Sequence, residues 1–455
     1  MLKYNRQASE FSFVFSRNST NSERSGFLNI REIFQSIEND EFSTAFKNLY
    51  GTADEVQAYQ KKRYLGAVKR FAELYPERRD VRIFSASGRT EIGGNHTDHQ
   101  HGCVLAAAVN LDVVAVVAFH EDGVIRVKSE GYDAFSVDLN SVFERTDKTG
   151  AAAIVSGIAA RFIELGVQIG GFDLYCTSDV AVGSGLSSSA AFETLIGTII
   201  DINYNGGRAG AVEIAKIGQF AENVYFGKNS GLMDQMVSSV GGLVFIDFAD
   251  TEKPVAESFS CDFERLGYCI CITDTKSSHA DLTDDYSAIR SEMESVAGQF
   301  GEQHLRFVNE SDFYREIPKL RESCSDRAII RAAHFFEENY RAKQEAKVLQ
   351  NGDIIGFLEL VNESGNSSAV LLQNLFSCSN PTKQALTLGI MLSKKILGNK
   401  GAVRVHGGGF AGTIQAFVPV DFAEKYIAEM NRVFGEGSCV RIKIRSVGGA
   451  EITKE

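Results

Sequence analysis

VGSGLSSSAAFE (Val182–Glu193) is the stretch whose reading decides the fold. Gly183, Ser184 and Gly185 are small enough for the backbone to approach a ligand without Cβ clashes. Ser187, Ser188 and Ser189 follow, and then Ala190, Ala191, Leu195, Ile196, Ile199 and Ile200 give the apolar face of a helix over Ser188–Ile202. A glycine loop that runs into a helix start presents free N–H groups and the positive end of the helix, and both attract anions. No Gly-Lys-Ser/Thr follows the glycines, so the loop is not a Walker A motif. By itself the segment also fits a serine-capped helix after a tight turn.

Two more glycine-rich stretches flank it in sequence. GRTEIGGNHTDHQHG (Gly88–Gly102) gathers Asn95, His96, Asp98, His99 and His101 in one loop, a polar set suited to a hydroxylated small molecule. The same loop could instead offer His96, Asp98, His99 and His101 to a transition metal, or be a solvated turn. No second ligand cluster supports the metal. Arg89 closes the preceding strand, where a guanidinium can face a phosphate or a catalytic carboxylate. HGGGFAG (His406–Gly412) reads as a tight turn between strands. In GKNSGLMDQMVSSVGG (Gly227–Gly242), Asp234 stands among apolar residues, a costly place unless it is paired, caps the helix or is functional. Glu222, in QFAENVYF, taken singly reads as a surface carboxylate.

A chain of 455 residues exceeds the usual size of one hydrophobic core and predicts two domains. A net charge of -12 with no basic block argues against nucleic acid or an anionic membrane surface as partner. The 8 cysteines are scattered without a CxxC pair, as expected for free thiols in a reducing compartment. The N-terminus lacks the apolar core of a signal peptide, and Cys103–Phe119, interrupted by Asn110 and Asp112, is too short and polar to cross a bilayer. A cytoplasmic protein is expected.

Strand-like runs fall at Val81–Ser85, Val104–Phe119, Val124–Ser129, Phe172–Thr177 and Leu243–Phe248, with helices expected within Glu41–Leu74 and over Ala151–Leu165. Residues 1–40 look like a loosely attached polar extension. Composition shifts at Ala249–Glu257, which sets expected domains of 41–255 and 256–455. Beyond it, strands are expected at Leu266–Thr273, Val403–His406, Thr413–Pro419 and Val440–Ile444. Helices are expected at Tyr286–Phe300, Ile329–Gln350, Asp353–Glu363 and Pro381–Leu397. Strands and helices without strict βαβ alternation argue for α+β layers and against a doubly wound sheet.

In order, GRxxxxGxHTDxxxG, GLSSSAA, GLMDQ and GGGFxG resemble the galactokinase branch of the GHMP small-molecule kinases, a likeness covering about Phe42 to Glu451. Arg331–Ser368 and Ser278–Met293 resemble further segments of that family. The resemblance implies an N-terminal domain of the ribosomal S5 domain 2 type with a left-handed βαβ unit, a ferredoxin-like C-terminal domain, and an active site in the cleft between them. It implies ATP-dependent phosphorylation of a sugar's anomeric hydroxyl, with Asp234 as base and Arg89 holding it ionised. Backbone groups of Gly183, Ser184, Gly185, Leu186, Ser187, Ser188 and Ser189 would cradle the phosphates. Ser189 (or Ser188) and Glu222 would hold Mg²⁺. Asn95, His96, Asp98 and Tyr286 would contact sugar hydroxyls, and HGGGFAG would line the site from the second domain.

Three residues depart from the family pattern: Asn95 replaces a Glu, His99 a Tyr and Ser87 a Pro. In galactokinases that Glu faces the sugar's far end, where a carboxylate would repel a substrate carrying its own and an amide would not. His96–Gln100 similarly resembles the galacturonate kinases. Galactose is therefore the expected acceptor, with galacturonate or another C6-modified sugar as the alternative. A non-catalytic sugar and ATP sensor is the reading from another class. It is opposed by an intact GLSSSAA and by the presence of Arg89, Glu222 and Asp234.

Overall fold

The computed structural model describes residues 28–144, 150–181, 185–228, 230–277 and 282–454. β1 (Leu28–Asn29), α1 (Ile30–Glu38), α2 (Ser43–Tyr50) and α3 (Asp54–Leu74) precede two long strands, β2 (Asp80–Gly93) and β3 (Cys103–Phe119). Next come β4 (Val124–Ser129), β5 (Phe135–Asp138), α4 (Gly150–Glu164) and β6 (Phe172–Ser178). Three helices follow, α5 (Ser188–Tyr204), α6 (Gly210–Phe220) and α7 (Met233–Val240), and then the pair β7 (Leu243–Asp247) and β8 (Val255–Phe259). The second half begins with β9 (Tyr268–Asp274), α8 (Thr283–Gly298), α9 (Glu310–Ser323), α10 (Asp326–Gln350), α11 (Ile354–Ser367) and α12 (Ala385–Leu397). It ends with β10 (Ala402–His406), β11 (Thr413–Pro419), α13 (Ala423–Phe434), β12 (Cys439–Ile442) and β13 (Ala450–Ile452).

A nine-stranded sheet organises the first half around β3. Successive side chains on a strand point to opposite faces, so a strand covered on both sides must be apolar throughout. β3 meets that requirement over Val113–Ala118: Val113, Ala115 and Val117 enter one core, while Val114, Val116 and Ala118 enter another beneath α1–α3. The buried Asp112 is accommodated by ion pairs to Arg63 (2.6 Å) and Arg445 (2.8 Å) and a hydrogen bond from Tyr50 (2.6 Å). β4 and β6 are the one parallel pair found among the described residues. The connection between them includes α4.

β9–β12 form a separate antiparallel sheet in the order β10-β11-β9-β12, with α12 and α13 on one face. The long segment between β9 and β10, and α13 between β11 and β12, give it a ferredoxin-like connectivity. Its other face, through Ile270, Ile272, Phe417 and Ile442, shares a core with α10, α11 and the first sheet. α10 therefore packs against both halves.

The fold corrects three expectations of organisation. Residues 28–40 are not loosely attached: α1 buries Ile33 and Ile37 against the first sheet, and residues 1–27 lie outside the described residues. The boundary expected at 255/256 falls within β8, which pairs with β7 and stays on the first sheet. The chain end also returns to that sheet, where β13 pairs with β2 and buries Ile452. β2 runs eight residues past its expected end at Ser85, because bulges at Ser87/Arg89 and Glu91/Gly93 absorb its glycines.

Candidate active site

Arg89 follows directly after the first irregularity, where the extra residues lie on β3, with Ser87 opposite Asp112 and Arg89 opposite Ala108. At this point the strand backbone touches the serine loop, with Arg89 N donating to Leu186 O at 2.9 Å. A Cβ on Gly88 would come within 2.9 Å of that same oxygen, so a larger residue would wedge strand and loop apart. The Arg89 guanidinium grips Asp234, at the start of α7, in a two-pronged pair: Nε to Oδ1 at 2.7 Å and Nη2 to Oδ2 at 2.6 Å. Its Nη1 donates to Gly185 O. Burial alone would push the Asp234 carboxyl up, but the charge and hydrogen bonds of Arg89 outweigh it and hold the group below the usual carboxylate range.

Ser187, expected to cap α5 or meet phosphate, donates its hydroxyl to Asp234 Oδ2 at 2.8 Å. It adopts a left-handed backbone (φ 56°), and no side chain caps the first turn of α5. The helix thus opens toward Arg89 and Asp234 with its first N–H groups uncapped by any described residue, an arrangement that attracts anions. Gly183 and Ser184 lie outside the described residues. Ser188 is half-buried and Ser189 exposed, and both line a cavity of about 610 Å³ with Val113, Tyr132, Phe135 and Phe192.

Glu222 is not on the surface. It sits in a π-helical turn (Ala221–Phe226) that follows α6, a local insertion that often marks functional sites, and it is buried. Its Oε2 accepts from Ser230 Oγ (2.6 Å) and Gln235 Nε2 (2.9 Å), and its Oε1 pairs with the exposed Lys228 at 2.7 Å. Gln235 Nε2 also donates to Glu193 Oε2 at 2.9 Å. Burial, reinforced by the neighbouring Glu222, pushes the Glu193 carboxyl up to about 8.

The loop between β2 and β3 is fastened by Thr97, whose single hydroxyl hydrogen is shared between Gly94 O (2.9 Å) and Cys103 O (2.7 Å). Its residues divide into two groups. His96 and Asp98 remain half-buried. His96 Nε2 donates to Gly408 O at 2.9 Å, and Asp98 Oδ2 stands against Gly231, just before α7. Asn95, expected to contact the sugar, is 0% exposed. Its amide donates to Glu91 Oε1 (3.0 Å) and Gly407 O (2.7 Å), and its Oδ1 accepts from Asn374 Nδ2 at 2.9 Å. Its backbone carbonyl meets His334 Nε2 at 3.0 Å. Tyr286 lies over the glycine turn, donating to Gly409 O at 2.8 Å.

HGGGFAG therefore works as a set of carbonyls that receive the sugar loop and Tyr286. Its His406 is buried between Thr90 Oγ1 (2.9 Å) and Thr413 Oγ1 (2.8 Å), and burial drives its pKa down to about 3. A Cβ on Gly185 would come within 2.8 Å of Thr413 Oγ1, so serine loop and second sheet meet here. The structure brings Arg89, Asp234 and Ser187 together, with Asp98 close by against Gly231. Sequence reasoning missed Ser187 as an Asp234 partner, Gln235 with Glu193, and, behind the loop, Asn374, His334 and Glu338, whose Oε1 accepts from Gly94 N (3.2 Å) and Asn95 N (3.3 Å). Only Gln235 carried a local signal, as the neighbour of Asp234.

Two family models match: "Galactokinase galactose-binding signature" over residues 69–119 and "GHMP kinases N terminal domain" over residues 153–242. The fold, with its serine-rich helix start and Arg–Asp pair, is that of the GHMP small-molecule kinases. A mevalonate kinase of Methanococcus jannaschii, 13% identical, shares it with a TM-score of 0.56 over 80% of this chain and 98% of its own. A galactokinase of Glaesserella parasuis serovar 5 is 33% identical over 76% of this chain and 88% of its own. One from Actinobacillus pleuropneumoniae serotype 5b is 32% identical over 80% and 92%. A Lactococcus lactis galactokinase solved with galactose superimposes with a TM-score of 0.73 at 25% identity, over 85% of this chain and 98% of its own. The chain belongs to the galactokinase family. Among the described residues no helix is long and apolar enough to cross a membrane.

Proposed function

We propose that the protein transfers the γ-phosphoryl group of ATP to the anomeric hydroxyl of galactose, giving galactose 1-phosphate and ADP. The observation that carries the reading is the Asp234 carboxylate, held ionised by Arg89 beside the uncapped start of α5. The sugar's 1-oxygen attacks the γ-phosphorus, its proton passes to Asp234, and the bond from that phosphorus to the β–γ bridging oxygen breaks as ADP leaves. Arg89 keeps the base charged and faces the charge that develops in transfer. His96, Asp98 and Tyr286 orient the sugar. The apolar cavity beside Ser188 and Ser189 takes the nucleotide base.

The donor set fits Mg²⁺. Among the described residues no cluster of three or more His, Cys, Asp or Glu could hold a metal alone, and Mg²⁺ asks only for one or two protein oxygens besides phosphates and water. Glu222 and Ser189 (or Ser188) supply those oxygens. Bound there, Mg²⁺ would neutralise phosphate charge as the transfer proceeds.

The galacturonate alternative draws on Asn95 and on the resemblance of His96–Gln100 to the galacturonate kinases; the Asn95 amide is spent on Glu91, Gly407 and Asn374, which favours galactose. Initial rates of ADP release with galactose and with galacturonate test the reading. Turnover of galactose at millimolar concentration is expected, and none would sink it.

A further inference from the structure

We propose that Glu193 is a positioning residue that acts through Gln235 to fix the Glu222 carboxylate at the nucleotide-binding end of α5. The inference rests on the assignment of Glu222 to Mg²⁺. Glu193 lies four residues beyond Ser189, one helical turn down the same face. It is 1% exposed, and neither sugar nor phosphate can reach it. Among the described residues its one hydrogen-bond partner is Gln235 Nε2, which splits its two hydrogens between Glu193 Oε2 and Glu222 Oε2, each at 2.9 Å. Glu193 Oε1 and Gln235 Oε1 are buried without a partner among the described residues.

A buried carboxyl with an unpaired oxygen lowers stability, so this arrangement has no evident structural benefit of its own. What it achieves is orientation. With one amide hydrogen fixed on Glu193, the other must point at Glu222. That bond and the one from Ser230 both end on Glu222 Oε2. Its Oε1 is left to Lys228, an exposed side chain that a cation can displace. Gln235 also follows Asp234 directly on α7, so the same bond steadies the turn that carries the base.

The test compares Glu193→Gln, Glu193→Asp, Glu193→Leu and Glu222→Gln. The measurements are Mn²⁺ binding to the enzyme–ADP complex by electron paramagnetic resonance, the Mg²⁺ concentration for half-maximal rate, and the KM for galactose. Glutamine keeps an oxygen for the Gln235 amide, and Glu193→Gln is expected within threefold of the parent throughout. The shortened aspartate and the apolar leucine cannot receive that hydrogen. Both are expected to weaken Mn²⁺ binding and raise the Mg²⁺ requirement at least tenfold, with the galactose KM unchanged. Should leucine prevent folding, aspartate alone decides. Parent-like Mn²⁺ binding in Glu193→Asp, with binding lost in Glu222→Gln, overturns the role of Glu193 and leaves the metal assignment standing. Parent-like binding in Glu222→Gln overturns both.

Discussion

Replacing Asp234 with Asn separates the chemistry of the carboxylate from its structural work. The carboxylate receives three hydrogen bonds, two from Arg89 and one from Ser187. An asparagine keeps one acceptor and turns an N–H group toward the guanidinium, so one prong of the pair becomes a donor–donor contact. Breaking a fully buried ion pair costs about 3–5 kcal/mol. Here the side chains are 10% and 29% exposed, and solvent reduces the loss to about 1–2 kcal/mol. A domain stable by roughly 5–15 kcal/mol stays folded after such a loss. The rate suffers far more, because removing a general base costs on the order of 10²–10⁴-fold. The two effects separate in three measurements: ADP release for kcat, calorimetric titration for ATP binding, and a thermal melt. The expected outcome is a kcat at least a hundredfold lower, ATP binding within a few-fold of the parent, and a modest drop in Tm. A folded Asp234→Asn protein with kcat within tenfold of the parent would refute Asp234 as the base. Because Arg89 lowers the Asp234 pKa, the stability contributed by this pair is present above about pH 4 and is lost as acid protonates the carboxylate. An acid limb in the rate between pH 5 and 7 belongs to another group.

Two further substitutions probe the packing behind the sugar loop. Glu345, on α10, is fully buried with neither carboxyl oxygen partnered, and burial followed by the charge of Glu338 pushes its pKa well above the ordinary range. Its contribution is therefore complete below about pH 4 and declines as pH rises. Glu345→Gln should raise stability on the order of 1–3 kcal/mol at pH 8 and little at pH 4, read as the pH dependence of Tm; a parallel Tm profile would contradict this. Asn95→Glu places a second carboxylate against Glu91 and turns two donors into acceptors. It should lower stability by about 2–5 kcal/mol in a denaturant melt, and an unchanged midpoint would mean that the loop sits differently.

The parts of the site visible in the sequence were those held by local rules. Small residues before a serine run mark a helix start wherever they occur, and an aspartate among apolar residues demands a partner. What could not be read was which partner answers. Arg89 and Asp234 are 145 residues apart, and the bulge next to Arg89 depends on β3 lying beside β2. Asn95 shows the limit most clearly. The sequence places it in a polar loop, but its surroundings come from α10, Asn374 and the glycine turn, more than 230 residues away. Glu222 misled for a related reason, since single-position polarity cannot reveal the π-turn that takes it inward. α13 was legible and passed over: Ala423, Tyr426 and Met430 recur at helical spacing and are buried. β13 offers only three residues, and its strand form is set by β2 alone.

The return of the chain end to β2 has a consequence for synthesis. The strand that bears Arg89 emerges early from the ribosome, yet Arg445, one of the two cations that pair with Asp112 beside it, lies 333 residues after that aspartate, and the strand that closes its edge follows later still. A nascent chain stalled before residue 445 holds Asp112 with one of its two cations missing, and β2 with an open edge. Completion of the catalytic strand thus waits on a segment made hundreds of residues later, and a chain lacking residues 445–452 presents an unpaired strand edge open to misassociation.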